Sequence, residues 1–287
     1  MKIIVCVKQI GYIYDPTAID LATGEIDPEK MVSMLNPYDE LAVEEAIKIK
    51  ESENDCEVIA ITAGGPEADN ALKYSFAMGA DKMVRLDYES LDPSLISLFL
   101  SEAIKKIGYD FILCGKKSMD SNAGQVGSFI AERLQIPQVS GIVSLKLSLN
   151  DKKAVVERYL GKGDREEIEC DLPALFTTEM GLNDPRYPTL PRRLLAEKTN
   201  IEILDTTSLG VSPDKAIGLT DILKFSQPRP KTRKTFSPDS NLSATDRLKL
   251  MMSGGGAKPK EDSNVLEGSA DELAEHILKY LIQEQII

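Results

Sequence analysis

The sequence predicts an α/β fold, a doubly wound and mostly parallel sheet with an antiparallel extension and a C-terminal arm plus helix. Short β-branched runs alternate with amphipathic segments long enough to serve as crossovers, which implies parallel βαβ units with right-handed connections. Beyond about residue 135 the helical segments give way to strand-like runs joined by turn residues. From Phe225 onward sustained apolar periodicity is lost, apart from one short helix, until a last amphipathic stretch.

Lys2–Val7 is the first strand, a β-branched run. Asn36-Pro37 precedes a helix expected over Asp39–Lys50, with Asp39 as its N-cap. Leu41, Ala42, Ala46, Ile47 and Ile49 fall on or near one face of it, and Glu44 and Lys48 pair at i,i+4. Glu57–Thr62 reads as a buried strand and Gly64-Gly65-Pro66 as a turn. Pro66–Met78 reads as a helix that opens on proline and stops at Gly79. Lys82–Leu86 is a third strand, Pro93–Ile107 a helix and Asp110–Cys114 a fourth strand; Ser128–Leu134 is amphipathic. Val139–Leu149, Ala154–Leu160, Glu166–Cys170 and Leu175–Thr178 form the expected antiparallel extension, turning at Asn150-Asp151 and Gly161-Lys162-Gly163. Gly181–Arg193 carries three prolines and reads as a stiff loop with an apolar tip. Phe225–Pro259 is an arm containing a short helix, Ala244–Met252. The helix expected over Ala270–Gln283 has Leu273, Ile277, Leu278, Tyr280, Leu281 and Ile282 to bury, either on a second polypeptide or on its own sheet. The expected division is a nucleotide-binding α/β domain over residues 1–205 and an arm and helix over 206–287.

Composition excludes several classes of function. With 287 residues, 42% of them hydrophobic, the chain can bury one substantial core. No apolar run approaches the roughly 20 residues that span a bilayer, and Met1-Lys2-Ile3 does not open a signal peptide, so a cytoplasmic protein is expected. Cys6, Cys56, Cys114 and Cys170 lie far apart with no CxxC pair, which suggests buried thiols rather than a metal cage or a disulfide framework. A net charge of −12 argues against nucleic acid. His276 is the single histidine, so no Ser-His-Asp, Cys-His or histidine-metal centre can form in the main domain. Glu166/Glu167 and Asp15/Asp20 read as solvated charges, and no catalytic residue is expected.

A ligand site is nevertheless legible. In open parallel sheets ligands sit beyond the carboxyl ends of the strands, where the turns after Val7, Thr62 and Cys114 all fall. The richest turn is Gly115–Gly127, a small, polar segment between a buried strand and a helix start. Free N–H groups and the macrodipole favour an anion there. It is neither a Walker A loop nor a GxGxxG fingerprint. The pattern indicates a nucleotide pocket in a binding or electron-carrying module.

Four segments carry a family resemblance: Val5-Cys6-Val7-Lys8-Gln9, Met34 to Ala46, Ala77-Met78-Gly79-Ala80-Asp81, and Leu182-Asn183-Asp184-Pro185-Arg186-Tyr187 followed by Leu190-Pro191. Over about residues 1–205 the chain resembles the beta subunit of electron transfer flavoprotein. The resemblance implies a Rossmann-like, adenine-nucleotide alpha-hydrolase-like sheet in a heterodimer whose FAD is shared with an alpha subunit. A structural AMP would lie in this subunit, or a second FAD in bifurcating members that oxidise NADH. The implied nucleotide contacts are Cys6, Asn36, Pro37, Tyr38, Asp39, Gly64, Gly115, Lys116, Lys117, Ser118, Met119, Asp120, Ser121, Asn122, Ala123, Gly124, Gln125 and Val126. Tyr38, Tyr12 and Tyr14 would face the flavin. Leu182, Asn183, Pro185, Arg186 and Tyr187 would dock an acyl-CoA dehydrogenase of fatty acid beta-oxidation, with electrons passing on to a membrane-associated quinone oxidoreductase. The C-terminal arm and helix would wrap the alpha subunit.

Two departures bear on the nucleotide. Gly124-Gln125-Val126-Gly127 stands where many AMP-binding members have Asn-Gln-Thr-Gly, and Ile10-Gly11-Tyr12 stands where bifurcating members have Val-Pro-Asp. AMP is preferred and the second FAD stays open. Two rivals are a stand-alone nucleotide-binding domain, which would not need the Leu182 loop, and an ATP pyrophosphatase, which would need a Ser-Gly-Gly-type loop after the first strand.

Overall fold

Alternate side chains of β1 (Lys2–Cys6) enter two different apolar layers, Ile3 and Val5 on one face and Ile4 and Cys6 on the other. Only a strand covered by helices on both faces is apolar on both, which is the signature of a parallel α/β sheet. The computed structural model describes residues 1–14, 18–20, 23, 27–53, 55–148, 151–211, 218, 242–252 and 268–283. The arm expected over 225–259 lies outside them except for 242–252, as do Asp15 and the Asn150 turn. The chain divides into two units, residues 1–226 and 227–287.

In the first unit, β1 leads to a hairpin of β2 (Gln9–Ile13) and β3 (Met31–Leu35), paired antiparallel as a separate two-stranded sheet. Then come α1 (Pro37–Ser52), β4 (Glu57–Ala63), α2 (Asp69–Met78), β5 (Lys82–Asp87), α3 (Pro93–Ile107), β6 (Phe111–Gly115) and α4 (Val126–Leu134). β7 (Gln138–Ser148), β8 (Lys153–Gly161), β9 (Asp164–Asp171), β10 (Leu175–Thr178), α5 (Leu190–Lys198) and β11 (Glu202–Asp205) complete it. The main sheet has nine strands in the order β11-β5-β4-β1-β6-β10-β7-β8-β9. The chain winds outward from β1 through β4 to β5, then returns to place β6 on the other side of β1. The crevice between β1 and β6 is therefore the switch point at which such sheets bind ligands. α1 and α2 pack on the Ile3/Val5 face, and α3 and α4 on the Ile4/Cys6 face.

Four sequence expectations need correction. β10 is not part of the antiparallel extension. It pairs parallel to both β6 and β7 near the middle of the sheet, and its Leu175 and Phe176 are wholly buried. A four-residue strand shows too little alternation to distinguish an edge from a centre. Asp39 is not the N-cap: Asn36 is, with Pro37 opening the helix, and Asp39 sits inside its first turn. The stiff loop ends at Thr189, because Pro191 falls in the first turn of α5, where a missing N–H costs nothing. Cys56 is only partly buried, unlike the other three cysteines.

In the second unit, α6 (Ala244–Met252) and α7 (Ala270–Gln283) have the bounds the periodicity gives. α7 opens on a capping box, in which Glu272 N–H donates to Ser269 Oγ while Glu272 accepts from Ser269 N–H at 2.9 Å.

If β10 is central, truncating its best-packed side chain must damage the whole domain. Phe176 is wholly buried and meets Phe111 edge-on at 6.3 Å. Phe176→Ala is expected to cost about 3–5 kcal/mol in urea denaturation, whereas an edge-strand position would lose about 1 kcal/mol or less.

Candidate functional site

Asp39 organises the site. It is buried in the first turn of α1, and its carboxylate accepts the Lys8 N–H at 2.8 Å and the Gly115 N–H at 2.9 Å. One side chain thus ties the exit of β1 and the end of β6 to the start of α1. Burial pushes its carboxyl up to about 7, against the pull of Asn36, of the two N–H groups and of the Lys8 charge. Gly115 has no room for a side chain: a Cβ there would lie 2.3 Å from Asp39 Oδ1.

Asn36 caps α1 through its backbone only, its carbonyl accepting the Asp39 and Glu40 N–H groups. Its side chain turns instead to the Gly115–Gly127 segment, donating to Lys117 O at 2.9 Å and accepting from Met119 N–H at 3.2 Å. Lys8 closes the same segment from outside through an ion pair with Asp120 at 2.7 Å. Burial opposes it, yet Lys8 and the Ser118 and Ser121 hydrogen bonds hold the Asp120 carboxyl below its ordinary value. Gly124 turns the segment with φ of +62°, a conformation that favours glycine.

These contacts frame a cavity of about 380 Å³ at the carboxyl edge of the sheet. Its floor includes Cys6 and Cys114, one wall is apolar with Leu91, Pro93, Ile96 and Leu100, and the other is the segment from Gly115 to Gly127. Phe129 N–H is the first in α4 to bond back, to Gln125 O at 3.0 Å, so the N–H groups of the helix's first residues have no intrahelical acceptor. Apolar wall, glycine turn and helix start suit a flat heterocycle attached to a phosphate.

The electron transfer flavoprotein domain profile matches residues 24–209. The chain is 35% identical over 240 residues to the electron transfer flavoprotein subunit beta of Bacillus subtilis, covering 82% of this chain and 92% of that protein. It is 38% identical over 223 residues to the caffeyl-CoA reductase-Etf complex subunit CarD of Acetobacterium woodii, covering 76% and 83%. It is 33% identical over 217 residues to the human electron transfer flavoprotein subunit beta, covering 74% and 84%.

The chain belongs to the electron transfer flavoprotein family, as a beta subunit.

The positions inferred for a nucleotide in this electron transfer flavoprotein subunit can now be placed. Cys6, Asn36, Asp39, Gly115 to Ser118, Asp120, Ser121 and Ala123 to Val126 line the cavity. Pro37, Tyr38, Gly64, Met119 and Asn122 are not part of its lining. Gly64 belongs instead to the sheet edge, donating to Leu86 O and accepting from Arg85 at 3.2 Å. The predicted contacts missed the apolar wall of Leu91 and α3, the strand ends at Val7, Lys8, Thr62 and Ala63, and Cys114, because a buried helix face, a strand end and a strand thiol carry no motif. Tyr12 and Tyr14 are exposed on the β2–β3 hairpin, and Tyr38 is half-buried with the Lys117 ammonium 5.7 Å from its ring.

The stretch resembling the family's docking loop is bound to α1. Arg186 forks onto Glu44 at 2.9 and 3.0 Å and onto Glu51, and Asn183 donates to Leu41 O and Glu45. Glu44 is itself buried, and that guanidinium is its ion-pair partner. Leu182 is half-buried against the core rather than forming an exposed tip. The exposed apolar side chains here are Tyr187 at 91%, Leu190, Leu194 and Leu195.

The raised Asp39 carboxyl means that the folded chain holds this proton more tightly than the unfolded one, whose value is 3.8. Its stabilising contribution is complete below about pH 4 and is lost as pH rises towards about 7. Urea denaturation across this range should therefore shift in favour of Asp39→Asn relative to the parent by roughly 1–3 kcal/mol, then level off. A difference independent of pH would refute the buried, titrating carboxylate. Arg186→Ala should cost about 3 kcal/mol by stranding the Glu44 charge, with Arg186→Lys recovering part of it, read as urea midpoints.

Proposed function

We propose that this chain is the beta subunit of a heterodimeric electron transfer flavoprotein, that its cavity holds the adenylate of AMP, and that it scaffolds an FAD shared with the alpha subunit. The observation that carries the reading is the cavity between β1 and β6, with an apolar wall facing a glycine turn and the free N–H groups of α4. The residues fit the group. Leu91, Pro93, Ile96 and Leu100 can pack against one face of an adenine, while the Gly124 turn and the start of α4 present amides to a phosphate without needing a cation. A volume of about 380 Å³ is at the small end of the ~300–1,000 Å³ range for ligand sites, which favours a mononucleotide.

FAD supplies the one- and two-electron chemistry when bound; this chain's part is to bind, orient and exclude water. The exposed Tyr187, Leu190 and Leu194 on a stretch clamped to α1 suit brief contact with an acyl-CoA dehydrogenase, since a rigid apolar anchor loses little entropy on docking. Electrons would pass onward to a membrane-associated quinone oxidoreductase. No described helix is long and apolar enough to cross a membrane, and the four free cysteines fit a reducing compartment such as the cytoplasm. One observation favours a second reading, in which a second FAD replaces AMP in a bifurcating complex: the 38% identity to a subunit of a caffeyl-CoA reductase-Etf complex.

Co-expression with a candidate alpha subunit followed by acid release and chromatography separates the readings. A yellow complex with one FAD and one AMP per heterodimer is the expected result, and two FAD with no AMP supports the second. A colourless chain empty of adenine compounds would end both.

A further inference from the structure

Cys6 closes β1 and Cys114 lies one residue from the end of β6, and the two are register partners across the parallel pair. Adjacent strands lie about 4.8 Å apart, and register partners project from the same face. Here that face is the layer of Ile4, Ile112 and Ile130. Both cysteines line the floor of the cavity, and both thiols are free. The start of α4 presses on the pair from the side, since a Cβ on Gly127 would lie 2.8 Å from Cys114 Sγ. Two thiols thus stand side by side where the strands part, with open space on one side only.

A disulfide would need the two β-carbons to close to about 3.8 Å, which the parallel ladder resists. An atom inserted between the sulfurs lengthens the bridge and leaves the ladder in place. Among the described residues no group of three or more His, Cys, Asp or Glu side chains could hold a metal ion, so the pair offers two soft ligands and no more. Burial pushes both thiols above their ordinary range, Cys6 up to about 12, with Asp39 adding to the effect at each. They stay protonated, so alkylating reagents that need a thiolate react slowly with them, whereas condensation with an As–OH group carries the thiol proton away as water.

We propose that Cys6 and Cys114 form a dithiol site for trivalent arsenicals at the floor of the cavity, closed off when the cavity is filled; this last part rests on the nucleotide reading above. In the reaction two As–S bonds form and two As–O bonds break. The two thiol protons leave with the two hydroxyl groups as water, and arsenic remains trivalent throughout.

The test treats the full-length chain, dialysed free of nucleotide, with phenylarsine oxide. Intact-mass spectrometry is expected to find one phenylarsenic per chain, and thiol titration after unfolding to find two of the four cysteines lost. Peptide mapping of the unsubstituted chain should join the Cys6 and Cys114 peptides. Cys6→Ser and Cys114→Ala should each abolish the adduct, while Cys56→Ser keeps it; circular dichroism checks that each variant is folded. No adduct on the nucleotide-free chain, or a map joining any other pair, overturns the proposal whether or not the variants fold. Saturating AMP should slow the reaction at least tenfold. An unchanged rate with AMP shown bound by equilibrium dialysis overturns the occlusion. An unchanged rate with no AMP bound leaves the mapped dithiol standing and counts against the nucleotide reading instead.

Discussion

A single buried carboxylate holds the site together. Where a doubly wound sheet reverses direction, two neighbouring strands send their chains to opposite faces and their last N–H groups lose their ladder partners. Asp39 supplies acceptors to both, from Lys8 and Gly115, and does so from the first turn of α1, where negative charge is favoured. The geometry is closed on all sides. Gly115 must lack a side chain, Asn36 must spend its amide on the neighbouring loop rather than on its own helix, and Thr178 from β10 donates to Tyr38 O at 2.6 Å.

α1 is therefore more than a crossover. Its amino end fixes the cavity through Asn36 and Asp39, and its length carries Leu41 O, Glu44, Glu45 and Glu51, which hold the stretch from Asn183 to Arg186. Two regions far apart in sequence share one rigid support. That arrangement places the cavity and an exposed apolar stretch in fixed register.

Much of this was legible in the residues. β1 and β4 are β-branched runs and β5 and β6 short apolar ones, as a buried parallel sheet uses. Pro93 and Gly108 bound α3 and Gly79 ends α2, whereas the expected start of α2 at Pro66 is a separate 3-10 turn over Pro66–Ala68 and the helix opens at Asp69. Gly115 to Gly127 announced a cavity wall because its polar content exceeds what a turn needs. What stayed hidden is non-local. β11 is four residues long and takes its place only by pairing with β5, and the β2–β3 hairpin joins segments separated by a long insertion. Asp39 reads as a cap from its neighbours in sequence, and only the meeting of two strand ends explains its burial. The α3 wall shows the same limit, since a helix face lining a cavity looks like one lining a core.

The two borders of the main sheet are protected in different ways. β11 is only four residues long, and β9 presents Asp164, Arg165, Glu166, Glu167, Glu169 and Asp171 within eight residues. A second copy laid against β9 would have to desolvate like-charged carboxylates row upon row to capture the unpaired backbone. Such a margin disfavours edge-to-edge pairing of two copies, so the sheet ends where its own chain ends it rather than continuing into a neighbour.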